Sequence, residues 1–375
     1  MQSGERISAT QTGMLLYPSI MATAMIAGPS VMARKALNDM WLSPIWASIS
    51  GFLAIFIACR LYKRHPNMNI IQQSAHIAGA IPGKIIGFYY FFIFLQINGS
   101  IVRDYAEFIG LFLRDTPMSV ISMALILVSA VAVTGGIEVI ARSGQIFSPF
   151  FVGPFVIMIL LVLKDMEPQN MLPILENGLL PTFRGAVTPQ GWFSEAFLIT
   201  FLLPVLKEKE RGGMAGHIAV FFSMITMVIA NLVTLFLMGE ITSALLFPIM
   251  DIARYVSIAD FFENLESGVM AIWVVGAFIK VSLFYYASAQ TAAHWLQLSS
   301  YRVAVLPIGW LTVLFSFWGL PNFTTYMQWS ELAIPVSLFL SFVVFPGCLL
   351  LISAATNKGS AKQGGIDKGN SKEVN

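Results

Sequence analysis

From its first residues to about position 353 the chain alternates long apolar blocks with short charged or Pro/Gly-rich punctuation. A large soluble core would not produce blocks of this length, whereas a membrane-spanning helix needs roughly 20 largely apolar residues. The pattern predicts ten spans, about 7–33, 41–60, 84–113, 117–135, 142–164, 190–206, 213–239, 268–293, 301–319 and 331–353. Between them lie the basic stretch Arg60-Leu61-Tyr62-Lys63-Arg64-His65, a Pro-rich connection over 165–190 and a loop over 240–267. The expected organisation is a single transmembrane domain, 1–356, with halves of about 7–164 and 190–353. A Lys/Gly/Ser-rich tail, 357–375, should be disordered and cytoplasmic. Arg6 and the small-residue run Ala22-Thr23-Ala24 give the first block some likeness to a secretory signal, but the next apolar block begins already at Trp41, so it reads as a span.

One block is anomalous. Residues 191–210 read GWFSEAFLITFLLPVLKEKE, and only about 15 residues of apolar run are available over 192–206. Glu195 and Pro204 fall inside it. An acid in hydrocarbon costs at least about 2.5 kcal/mol on insertion scales, and proline removes a backbone donor that no water can replace there. The first span has its own irregularities: Pro18, then Ala22-Thr23-Ala24, then Gly28-Pro29. These two spans open the two halves. Five spans per half is an odd number, so the halves insert in opposite senses, and interrupted helices at corresponding positions point to a central binding site between them. Both helices are therefore expected to be broken at mid-membrane, with free amide and carbonyl ends available to a zwitterionic ligand. In the alternative reading the sixth span starts near Phe197 and Glu195 touches outside water.

Two further spans carry polar groups. In the third, Gln96, Ser100, Arg103 and Glu107 fall on one helix face, with Arg103 and Glu107 in pairing reach. Counted from Lys84, Gln96 lies about 18 Å and Arg103 about 28 Å along the helix axis. Gln96 and Asn98 are thus the mid-depth groups, and the Arg103–Glu107 pair is a structural clamp or a substrate contact near the outer boundary. The eighth span holds Lys280 near its middle, with about 12 residues on either side, too far to snorkel. An ammonium there should face the bundle interior and meet a carboxylate or carbonyls, or sit neutral. It would serve as a proton-linked switch or as a fixed charge. The predicted ligand-binding set is Ala22, Thr23, Ala24, Gln96, Asn98, Glu195, Phe197, Thr200 and Lys280, with Glu195 and Lys280 also the switch candidates and Arg103, Glu107 and Pro204 structural.

Composition sharpens the class. The 375 residues are 57% hydrophobic and 11% charged, against roughly 25% charged in ordinary soluble domains. Net charge is +2, which suggests neither nucleic acid nor an acidic soluble partner. With the N-terminus inside, the inner set of Lys and Arg is Arg6, Arg60, Lys63, Arg64, Lys84, Arg142, Lys207, Lys209, Arg211, Arg302 and Lys358, Lys362, Lys368 and Lys372. The outer set is Arg34, Lys35, Arg114, Lys164, Arg184 and Arg254, and 14 against 6 places both termini inside. Cys59 and Cys348 both fall in apolar blocks and read as packing. His65, His76, His217 and His294 have no metal-ligand spacing, and no cofactor motif or catalytic set stands out. An enzyme is not expected, nor a metal or cofactor.

The stretch 245–286 carries Phe247-Pro248, Arg254, Ile258-Ala259-Asp260-Phe261, Glu263, Trp273 and Phe278-Ile279-Lys280. With Asp39-Met40-Trp41-Leu42-Ser43, Arg103-Asp104-Tyr105-Ala106-Glu107, Thr116-Pro117, Ser194-Glu195 and Leu203-Pro204, it resembles the bacterial spore germination permease family. These are the B subunits of nutrient germinant receptors, within the amino acid, polyamine and organocation transporter superfamily. The likeness spans about 7–353. Ala22 and Ala24 depart from it, standing where the family has glycines and filling space beside a ligand's carboxylate. The resemblance implies an all-α, five-plus-five inverted repeat with broken first and sixth helices, located in the spore inner membrane. It also implies assembly with an A subunit and a lipoprotein C subunit, and sensing of a small nutrient, an amino acid first among them. A proton-coupled amino acid transporter and a scaffold or ion-release channel are the alternatives.

Overall fold

A computed structural model describes residues 4–256, 265–318, 329 and 331–356, without the side chains of 265–267. The motif residues 258–261 and Glu263, and the predicted tail 357–375, lie outside the described residues.

The described chain is helical. The first half contains α1 (Ala9–Ala36), α2 (Ser43–Arg64), the short α3 (Ile70–Ala78), α4 (Ala80–Gly110), α5 (Met118–Gly135) and α6 (Ile137–Val162). A connection bearing α7 (Leu180–Gly185) leads to the second half. There, α8 (Val187–Ser194) and α9 (Ile199–Leu202) form the sixth segment, followed by α10 (Gly212–Met238), the short α11 (Pro248–Tyr255), α12 (Leu265–Leu296) and α13 (Arg302–Phe317). The last helix, α14 (Ala333–Ala355), contains a π turn at Leu340–Val344. The halves repeat one order: two spans, a short helix, a long span, then two more. Such a repeated order is the one expected of halves inserted in opposite senses.

Among the described residues, seven stretches are long and apolar enough to cross a membrane, and the first, Ala9–Arg64, contains both α1 and α2. Two of the ten expected spans are not among them: Arg302–Phe317 is shorter, and the sixth segment is divided. At 31 residues, α4 is about 46 Å long against a hydrocarbon core of about 30 Å, so it tilts or projects.

Local sequence sets the helix ends. Ser8 and Gln11 form a reciprocal capping box before α1, and Asn69 and Gln72 form another before α3. Pro44 and Pro248 sit in the first turns of α2 and α11, where a missing N–H costs nothing. Between α5 and α6 the chain turns at Gly136, whose φ of +99° favours glycine and whose Cα lies against the Glu5 carboxylate.

The expected break in the first helix is corrected by the structure. α1 runs from Ala9 to Ala36 as one helix with Pro18 and Pro29 inside it. Pro18 lacks the N–H that would bond the Met14 carbonyl. The Ser148 hydroxyl of α6 fills part of the gap, its one proton shared between Met14 O at 3.0 Å and Gly144 O of its own helix at 2.7 Å. The sixth segment is irregular rather than broken: its α-helix tightens into 3-10 turns at Glu195–Leu198 and again at Leu203–Val205, around Pro204, with helical backbone at each junction and without the free ends expected there.

α1 packs centrally on α10, α12 and α6, and α12 packs on α4. One face of the bundle gathers the basic connections. There Ile7 N donates to Val205 O (3.0 Å), Lys207 N to Ile7 O (2.9 Å) and Lys209 Nζ to Asn67 Oδ1 (2.6 Å), while His65 Nε2 meets Ser353 Oγ (2.8 Å). This terminus-bearing face holds the loops that the Lys/Arg count assigns to the inside.

Candidate functional site

Lys280 has nowhere to send its charge along α12, so the fold brings a partner to it. Its Nζ lies 2.6 Å from Glu195 Oε2, with the two side chains 0% and 3% exposed. It also donates to Thr23 Oγ1 at 2.6 Å, and the ring of Phe284 lies 6.0 Å away. The central helix α1, the irregular sixth segment and α12 thus meet at one buried ion pair. Taking both charges out of water is costly, and only close pairing with further hydrogen bonds offsets it. The 3-10 turn at Glu195–Leu198 lets the segment carry its acid inward while backbone groups around it stay inside protein.

The pair forms part of the wall of a cavity of about 80 Å³. Thr23, Ser100, Asp104, Thr188, Glu195, Lys280 and Glu331 supply polar groups, and Ile97, Trp192, Phe247 and Leu338 apolar surface. Three carboxylates therefore stand against one lysine in the lining. At its more exposed end Glu331 Oε1 receives Arg34 Nη2 at 2.7 Å, and Thr188 Oγ1 donates to Glu331 O at 2.7 Å. Toward the terminus-bearing face an aromatic plug fills the bundle. Phe197 stacks on Phe342 (centroids 5.2 Å apart) and on Tyr90 (6.0 Å), and Phe94 reaches Phe201 (5.5 Å) and Phe284 (6.3 Å). Beyond the plug a second cavity, about 420 Å³, is walled by Phe201, Pro204, Tyr286, Gln290, Tyr301 and Arg302 among others.

Of the residues expected at the site, the structure brings Thr23, Glu195 and Lys280 into contact. Ala22 and Ala24 are buried in packing, Ala22 facing Gly276 of α12, and neither lines the cavity. Gln96 is exposed. Asn98 is fully buried, with neither side-chain polar atom hydrogen-bonded among the described residues. Phe197 belongs to the plug, and Thr200 is buried outside the cavity lining. Arg103 pairs with Glu107 (Nη2 to Oε1, 2.6 Å) and lies 5.6 Å from the Phe317 ring, tying α4 to α13. Sequence reasoning missed Asp104, Thr188, Trp192 and Glu331 as lining residues. Asp104 was within reach, because it follows Ser100 by four on the same helix.

Among the described residues no three His, Cys, Asp or Glu side chains gather to hold a metal ion. The central feature of this helical bundle is a buried ion pair where three helical segments meet. Two solved transporters share this fold. One is Mhp1, a nucleobase-cation-symport-1 family transporter in a closed conformation with bromovinylhydantoin bound (TM-score 0.71, 14% identity, 94% of this chain and 79% of that one). The other is MhsT in complex with L-phenylalanine (TM-score 0.65, 11% identity, 94% of this chain and 99% of that one). In sequence the chain is similar to spore germination protein KB of Bacillus subtilis, 23% identical over 367 residues, covering 96% of this chain and 98% of that protein. It is also 25% identical over 291 residues to spore germination protein YndE of the same organism, covering 76% and 79%. The spore germination protein family profile matches residues 6–324, and the chain belongs to that family.

Proposed function

We propose that this multi-pass membrane protein is the transporter-like subunit of a nutrient germinant receptor in the spore inner membrane, with both termini cytoplasmic. It works beside an A subunit and a lipoprotein C subunit. A small nutrient enters the central cavity from the side of Arg34 and Glu331, and its binding shifts the bundle between conformations that the partners read. The observation that carries this is the Lys280–Glu195 ion pair, 2.6 Å long and buried, on the wall of a cavity closed by aromatic packing toward the terminus-bearing face. The hydroxyls of Thr23, Ser100 and Thr188 beside the ion pair suit a small polar ligand. An amino acid fits, and MhsT, which shares the fold, was solved with one.

The test pairs two measurements. Spores lacking the gene, complemented with wild-type or K280M protein, are screened against amino acids, sugars and nucleosides. Purified wild-type protein in vesicles is assayed for uptake of any active compound. The expected result is a nutrient response restored by wild type and not by K280M, with no concentrative uptake. Accumulation of the compound against its gradient by the protein alone would replace sensing with proton-coupled transport, and ligand-independent conductance would replace it with a channel.

A further inference from the structure

Away from the central cavity a groove of about 710 Å³ runs between α2 and α10 on the outside of the bundle. Its walls include Phe52, Phe56, Ile218 and Phe222, of which the last three are exposed. At one end it gathers Arg60, Lys63 and Lys209, with Glu210 as the one acid in the lining. Arg60 lies 5.1 Å from the Phe56 ring, so its guanidinium sits over the start of the apolar floor.

From Lys63 back to Phe52 is about 16 Å along the helix axis at 1.5 Å per residue. That matches one leaflet, about half of a 30 Å hydrocarbon core. The cations stand at headgroup level, and the phenyl rings line the depth an acyl chain occupies. The groove opens on the terminus-bearing face, where basic residues between spans meet the negatively charged leaflet.

We propose that this groove is a binding site for one anionic phospholipid, its phosphate held by Arg60, Lys63 and Lys209 and one acyl chain laid along Phe52, Phe56 and Phe222. Charge complementarity and the one-leaflet length select the occupant: a zwitterionic lipid would bring its own cation to three more, and a soluble phosphate would leave the apolar floor empty. α2, which carries one wall of the groove, also packs on the sixth segment. Gly51, next to Phe52, packs on the Phe193 carbonyl of the sixth segment, and Ser50 Oγ donates to Gln190 O at 2.8 Å.

The full-length protein is purified in neutral detergent and titrated with phosphatidylglycerol or phosphatidylcholine of identical chains, reading bound lipid by native mass spectrometry. Phosphatidylglycerol should be retained preferentially, and R60Q/K63Q/K209Q should lose that preference, by roughly fivefold for each cation removed. R142Q, on the same face but outside the groove, should keep it, as should the charge-keeping R60K/K63R/K209R; if the neutral triple variant fails to fold, the single variants R60Q and K209Q replace it, each expected to lower the preference about fivefold. Equal retention of both lipids by the wild type overturns the proposal, and so does an undiminished preference in the neutral triple variant. Glycerol phosphate competing as well as the lipid would equally overturn it, since the acyl chain would then contribute nothing.

Discussion

Lys280 and Glu195 hold one another in a place where neither could stand alone. Removing one partner of a buried pair leaves an uncompensated charge and costs about 3–5 kcal/mol, whereas removing both together costs far less. K280M should therefore lower the unfolding temperature of the detergent-solubilised protein, and E195Q added to it should recover much of the loss. Additive losses in the double variant would show that the two side chains do not act as a pair. The sequence showed both residues because a mid-span charge is conspicuous in an apolar run. It could not show their contact, which joins positions 85 residues apart, nor the distance of Gln96 from the cavity. Polar spacing fixes which helix face a residue shares but not whether that face turns toward the centre or the lipid.

At the scale of the element, α1 shows how a helix survives two prolines. The Met14 carbonyl that Pro18 orphans shares the Ser148 hydroxyl of α6 with Gly144 O, so a neighbour repairs part of the defect. S148A should cost about 0.5–1 kcal/mol of stability, as single hydrogen bonds between membrane helices do. In a P18A background, where the amide returns, the same change should be nearly silent. A cycle of the four proteins by thermal unfolding checks this, and equal costs in both backgrounds would exclude the repair. Pro18 and Gly28-Pro29 suggested a break because sequence counts missing donors without seeing which side chains replace them. In the sixth segment the helix tightens into 3-10 turns rather than opening, so its short run, Glu195 and Pro204 marked an irregular helix and not one with free ends.

Over the whole molecule, closure is uneven. The terminus-bearing face is sealed by the plug and by the N-terminal strap, where Glu5 receives Arg302 Nη2 at 2.6 Å and the Ile137 amide at 3.0 Å. Cutting the strap with E5A should open this side. A cysteine placed at Phe201, in protein with Cys59 and Cys348 replaced by alanine, should then react several-fold faster with a charged thiol reagent. An unchanged rate would show that the plug alone seals the face. The all-helical membrane class was legible because apolar length is a property of the chain itself. The mirrored short helices α3 and α11 were not, being too brief to register as spans.

The ammonium at the centre of this bundle is bolted to α12. A mobile ion in that spot could travel with cargo and draw work from a gradient; a tethered one can neither arrive nor depart. Only its proton could come and go, so any coupling at the neighbouring hollow would run through protons and show as a pH dependence, and a sodium gradient would leave it unmoved.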